Sequence, residues 1–215
     1  MSIEQQIREI YSHTIPSRYE KMQKHMVKYK SGAIEKSTIK GGDHVVVFCC
    51  GTGMDFPALE ERIGPTGRID GVDFSKEMLC LAEKRINDSG WLNVNLVQKD
   101  VTFDDIALRN DYHAGVCTLG LSIIPDYTKA YENLTQCVKS GGQIIIGDMQ
   151  KAPGVWGLFD PISIYLSRPF GGTKEGHENS LTLYNMMRKD LQDVRKEEFL
   201  FHSYFIAWGT KLCKS

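Results

Sequence analysis

Val45, Val46, Val47 and Phe48 form an unbroken apolar and mostly β-branched run that ends, after two cysteines, at Gly51, Thr52 and Gly53. Apolar residues without polar alternation are the pattern of a strand buried on both faces, as in parallel sheets covered by helices. Glycines directly behind such a strand let the backbone turn sharply and come close to a ligand. The next strand-like stretch, Arg68 to Val72, ends at Asp73, where a carboxylate accepts hydrogen bonds from both hydroxyls of a ribose. Strand, glycine turn, helix, strand and acid together open an α/β fold that binds a nucleoside.

Two nucleoside classes share this opening, the nicotinamide dinucleotides and S-adenosylmethionine (SAM). Reading the dinucleotide fingerprint from Gly51 puts Phe56 where a third glycine belongs. A phenyl ring there is expected to hold the helix off the strand, which disfavours a pyrophosphate seated on the helix N-terminus and ranks a nicotinamide dehydrogenase third. Further segments fall where a βαβ chain needs them. Ser75 reads as the N-cap of a helix with Met78, Leu79, Ala82 and Ile86 on its apolar face. Val94 to Val101 reads as a third strand ending in an acid, Asp100, placed to receive an adenine amino group. Ala114 to Gly120 is a fourth, and Gln143 to Asp148 a fifth, opened by Gly141 and Gly142, which are expected to end the preceding helix. That helix starts after Asp126 and carries Tyr127, Ala130, Tyr131, Leu134 and Val138 along one side, a packing face rather than an aromatic ligand box.

As a set, these segments resemble the class I SAM-dependent methyltransferases from about Tyr11 onward. Within that class the chain is most similar to the ubiquinone/menaquinone-type and phospholipid-headgroup-type small-molecule branch, whose N-terminal motif matches the spacing of Tyr11 and Tyr19. The resemblance implies a Rossmann-like, seven-stranded, mostly parallel sheet in the order 3-2-1-4-5-7-6, helices on both faces, an N-terminal helical lid and SAM as cofactor. It also implies cofactor contacts from Tyr11, Tyr19, Gly51, Thr52, Gly53, Asp73, Phe74, Asp100, Val101 and Thr118. Among these, Asp73 would serve the ribose, Asp100 and Val101 the adenine, and Thr118 the space beneath the sulfonium. The chain departs from the class at Val47, where an acid is usual, and at Cys49, where a glycine is usual. A weaker or differently posed cofactor is expected, and a non-catalytic SAM-fold or partner-activating subunit is the competing class.

The 215 residues suffice for one domain with a substantial core, so residues 1–215 read as one unit with a lid over 1–40 and a pocket insertion over 151–179. In the lid, residues 2–12 and Ser17 to Lys30 read as helices separated by Pro16. After the insertion, Leu181 to Leu191 reads as a helix, and Glu197 to Phe201 and Ser203 to Lys211 as closing strands. A net charge of -1 gives no basic face for nucleic acid. No apolar segment has signal-peptide or membrane-spanning length, and no Cys-x-x-Cys pair marks a metal site or a disulfide framework. Reduced thiols in a cytoplasmic protein without metal are the expectation.

Methyl transfer from a sulfonium is an in-line displacement, so the protein chiefly aligns an acceptor lone pair with a carbon already activated. A base is needed for a hydroxyl or an acidic carbon but not for a neutral amine. His13 and His177 are the catalytic candidates, ahead of His25 and His113, the last lying at the strand end away from the cofactor. No base stands out, which favours nitrogen slightly. Asp148, Tyr165 and Arg168 are the acceptor-binding candidates, and their opposite charges leave the acceptor's sign open. A lipid-headgroup or quinone-type acceptor is the main variant. Trp156, Phe159, Ile164 and Phe170 are placed to touch an acyl chain or a lipid surface.

Overall fold

The computed structural model describes residue 9 and residues 26–103, 110–168 and 171–212. Tyr11, His13, Tyr19, His25, Phe170 and the helix expected over residues 2–12, apart from Glu9, lie outside them. Strands β1 (His44–Phe48), β2 (Arg68–Asp73), β3 (Val94–Gln98), β4 (Tyr112–Thr118), β5 (Val138–Met149), β6 (Leu191–Phe199) and β7 (Tyr204–Lys211) build one sheet. Its order is β3-β2-β1-β4-β5-β7-β6. Neighbours among the first five strands are parallel, while β7 is antiparallel to both β5 and β6.

The side chains of β1 explain the layering. Val46 and Phe48 join a core with Tyr131 and Leu134 of helix α4 (Tyr127–Cys137) and Leu183 and Met187 of α6 (Lys174–Asp190). Val45 and Val47 point the other way, into a core with Ala33 and Ile34 of α1 (Val27–Lys36), Leu59 and Ile63 of α2 (Phe56–Ile63), and Leu79, Ala82 and Ile86 of α3 (Lys76–Ser89). Both faces are therefore covered, and alternate residues of one strand serve opposite cores. Helix α5 (Asp160–Ser167) follows a short 3₁₀ segment, Gly154–Phe159, and buries none of its described side chains.

Several boundaries differ from expectation. Helix α1 begins at Val27 and runs past Lys30 to Lys36, where Ser37 Oγ donates to the Ile34 carbonyl. Gly141 and Gly142 do not end α4, which stops at Cys137. They sit instead in an irregularity of β5 between the Tyr112–Val138 and Ala114–Gln143 pairings. A Cβ on Gly142 would come within 2.5 Å of Val138 Cγ1 and 2.7 Å of the His113 carbonyl oxygen, so the close strand approach selects glycine there. Helix α6 starts at Lys174 rather than Leu181, because Thr173 accepts from the Gly176 N–H as an N-cap. β6 likewise starts at Leu191, before Glu197.

Phe56 is a further correction. Its ring is fully buried and does not keep α2 off the sheet, because β2 presents Gly71 to it. A Cβ on Gly71 would lie 2.7 Å from Phe56 Cζ, and one on Gly53 2.5 Å from Phe56 Cδ2. The ring occupies the room that two missing side chains leave between the loop and the strand.

Candidate cofactor and acceptor site

The carboxyl ends of β1, β2, β4 and β5 converge where open α/β sheets bind ligands. The loop after β1 holds Cys49, Gly51 and Gly53 at φ of 51°, 53° and 73°. Gly51 N donates to Asp73 Oδ2 at 2.8 Å and Ser75 N donates to Asp73 Oδ1 at 2.9 Å, so one carboxylate ties the glycine loop to the end of β2. With three N–H donors on its four acceptor sites, the carboxylate keeps room for a ribose hydroxyl. Burial pushes the Asp73 carboxyl up to about 6, against the opposing pull of the N–H groups of Ser75, Gly51 and Phe74.

On the β3 side, Asp100 Oδ1 accepts from Thr102 N at 3.0 Å and from Thr102 Oγ1 at 2.7 Å. Val101 is buried and its carbonyl accepts from Asn133 Nδ2, while Phe74 is half-buried with its carbonyl taken by Gln98 Nε2. On the β4 side, Thr118 is buried and donates to Asp55 Oδ2 at 2.5 Å. Asp55 stands at the N-cap of α2 without capping it, its other oxygen 3.7 Å from Lys30 Nζ. Neither Asp55 nor Lys30 is among the site residues expected from the sequence. The available signal was an acid two residues past the glycine pair, directly ahead of the helix.

The two departures from the family pattern are accommodated in different ways. Val47 is fully buried and belongs to the core shared by α1, α2 and α3. Cys49 sits in left-handed backbone with its thiol against that of Cys117, and this contact and burial together raise its pKa well above the ordinary thiol value. A Cβ on Gly120 would meet Cys49 Cβ at 2.6 Å, so the two loops close tightly over the end of β1.

The expected acceptor residues differ in burial. Asp148 is buried at the end of β5, where Ser122 N donates to Oδ2 and Met149 N to Oδ1, each at 2.9 Å, and burial pushes it up to about 6. Tyr165 and Arg168 are exposed, on α5 and just beyond it. His177 belongs to α6 rather than to a loop. It is buried, its Nδ1 has no partner and its Nε2 lies 3.5 Å from Ser167 Oγ; burial lowers its pKa and favours the neutral ring. His113 lies at the far end of the sheet, accepting from His44 N beside Asp43. Among the described residues no cluster of His, Cys, Asp or Glu has the makings of a metal site, and no helix is long and apolar enough to cross a membrane.

A bare glycine backbone, a buried carboxylate with a spare acceptor site and a buried Thr52 hydroxyl without a partner fit an adenosyl ligand. The profile of the ubiE/COQ5 methyltransferase family matches residues 1–164, and the chain belongs to that family. A demethylmenaquinone methyltransferase of Alkalihalophilus pseudofirmus is 27% identical over 156 residues, which make up 66% of this chain and 61% of that protein. One from Listeria monocytogenes is 26% identical over 178 residues, 78% of this chain and 73% of the relative. The matches span only 50% to 62% of the length of the first three such relatives. In fold, a SAM-dependent methyltransferase from Aquifex aeolicus superposes over 99% of this chain and 100% of its own with a TM-score of 0.64 at 15% identity. A SAM-dependent O-methyltransferase from Thermotoga maritima superposes over 100% of this chain and 73% of its own with a TM-score of 0.62 at 16% identity.

Proposed function

We propose that the protein transfers the methyl group of SAM to a quinone-type small molecule, the acceptor class named for its relatives. The observation that carries this reading is the loop from Gly51 to Gly53 held by Asp73, in a chain of this family. The cofactor supplies a carbon already activated for displacement. The chain's residues bind and orient: Asp73 takes the ribose, Asp100, Val101 and Phe74 wall the adenine, and Thr118 fixes the floor beside β4. The surface beyond β5 fits an acceptor drawn from a lipid phase. Val155, Leu158 and Tyr165 are 74%, 81% and 68% exposed, and the Trp156 and Phe201 rings stack at 5.4 Å. Peripheral contact with a lipid surface at the cytoplasmic side is part of the proposal.

A nitrogen acceptor is the second reading. Its support is that both oxygens of Asp148 hold backbone N–H groups and the His177 ring is buried against Ser167, so neither stands out as a base, and a neutral amine needs none. Incubation with SAM and either a short-chain demethylmenaquinol or an amine-headgroup lipid, read by mass spectrometry, separates the two. Methylated quinol is the expected product. Methylation of the amine alone selects the second reading. SAM binding without any product selects the non-catalytic subunit, and no heat on titration with S-adenosylhomocysteine overturns the cofactor assignment itself.

A further inference from the structure

Tyr204 is fully buried, yet its hydroxyl has no hydrogen-bond partner. A phenylalanine would fill nearly the same volume without stranding a polar group, whereas a buried hydroxyl left unpaired carries its full desolvation cost. The fold nevertheless makes room for it. Tyr204 opens β7 opposite Met149 of β5, and its side chain reaches over Gly147, where a Cβ would come within 2.7 Å of the Tyr204 oxygen. Gly147 in turn pairs with Thr118 at the end of β4. Burial, with the charges of Asp55 and Asp148 adding to it, raises the Tyr204 pKa well above the ordinary phenol value, so the hydroxyl keeps its proton and serves as a donor.

The sheet order says what stands in front of this donor. From Asp73 on β2 the strand ends run through Gly51 after β1 and Thr118 on β4 to Gly147 on β5. A SAM molecule with its ribose at Asp73 and its sulfonium above Thr118 therefore presents its methyl group toward the strand end that Tyr204 overhangs. Aromatic rings mark the way in. Phe199, two residues from the exposed Phe201, is half-buried, as is Tyr29; their rings lie 4.6 Å apart and each lies 6.3 Å from the Tyr204 ring. Such a line suits a flat aromatic ligand arriving from the apolar tip. We infer that the Tyr204 hydroxyl donates a hydrogen bond to a ring oxygen of the quinol and so holds the neighbouring ring carbon in line with the sulfonium methyl. The inference rests on the quinone-type reading of the acceptor and adds the residue that recognises it. A quinol oxygen gains negative charge as the quinol ionises for attack, and a fixed neutral donor shielded from water stabilises that charge. The amine of the second reading has no use for such a donor, because its lone pair must stay free for the methyl group.

The test is Tyr204→Phe in the full chain, assayed with SAM and a short-chain demethylmenaquinol, and challenged with the oxygen-free naphthalene that carries the same chain as a competing ligand. The variant is expected to lose about tenfold in kcat/KM for the quinol, while the inhibition constant of the naphthalene and the calorimetric affinity for S-adenosylhomocysteine stay within about twofold. Its denaturation midpoint equals or exceeds that of wild type, because the hydroxyl it lacks had no partner inside the protein. A loss for the naphthalene as large as the loss for the quinol, a quinol kcat/KM within about twofold of wild type, or a lowered midpoint overturns the assignment. Should that variant fail to fold, Gly147→Ala displaces the hydroxyl instead; the same selective loss supports the contact, and an unchanged kcat/KM overturns it. Wild type that methylates no quinol takes down the acceptor reading together with this contact, a result distinct from a variant that matches an active wild type.

Discussion

Asp73 carries its charge in a setting that resists it. Burial raises the carboxyl from 3.8 to about 6, so the folded chain keeps the proton to a higher pH than the unfolded chain does. By linkage, its contribution to stability is full below pH 3.8 and is lost as pH rises through about 6. Ligand binding runs the other way, since ribose hydroxyls donate best to the ionised form. Affinity for S-adenosylhomocysteine is expected to fall as pH drops through about 6, and Asp73→Asn should flatten that dependence while weakening binding about tenfold at neutral pH. A titration series by calorimetry checks both; an unchanged slope in the variant would remove Asp73 from the ribose contact. Asp73 was legible in the sequence because the acid closing the second strand is a positional signal. Asp55 was not, because an acid ahead of a helix reads first as a cap. Only the fold shows its carboxylate turned to Thr118 and Lys30 instead.

At the scale of elements, the packing of α2 on β2 depends on a ring and a gap that lie far apart in sequence. Gly71→Val would force side-chain atoms into Phe56 Cζ, Cys50 Sγ and Leu96 Cδ2, which a Cβ alone would meet at 2.7, 3.1 and 3.2 Å. A loss of about 2 to 4 kcal/mol in chemical denaturation is expected, and Phe56→Leu in the same chain should recover part of it. Additive losses would show that the ring and the strand do not share that space. In the sequence Phe56 reads as an obstacle because a fingerprint judges each position against its own neighbours. Gly141 and Gly142 misled in a similar way. A glycine pair after an apolar stripe reads as a helix stop, whereas here close strand packing at Val138 and the His113 carbonyl requires it. Strand existence and order followed from buried apolar runs and from resemblance. Boundaries did not, since caps such as Thr173 act through a single hydrogen bond.

Across the whole molecule, the cofactor half and the acceptor half differ in how far sequence reveals them. The first is built from one loop and adjacent strand ends. The second, as proposed, would draw on α5, α6 and the turn between β6 and β7, whose mutual facing no spacing rule gives. If the exposed apolar tip meets lipid, Trp156→Glu with Phe201→Glu should cut co-sedimentation with lipid vesicles about tenfold and leave S-adenosylhomocysteine affinity within twofold of wild type. Equal sedimentation of both proteins would reject the lipid contact. The sheet order carries one more consequence. β6 precedes β7 in the chain yet lies outside it, and β7 alone covers the border of β5. A nascent chain that has already assembled its parallel strands therefore carries a naked row of amide and carbonyl groups along β5 until residues 204–211 emerge and pair with it.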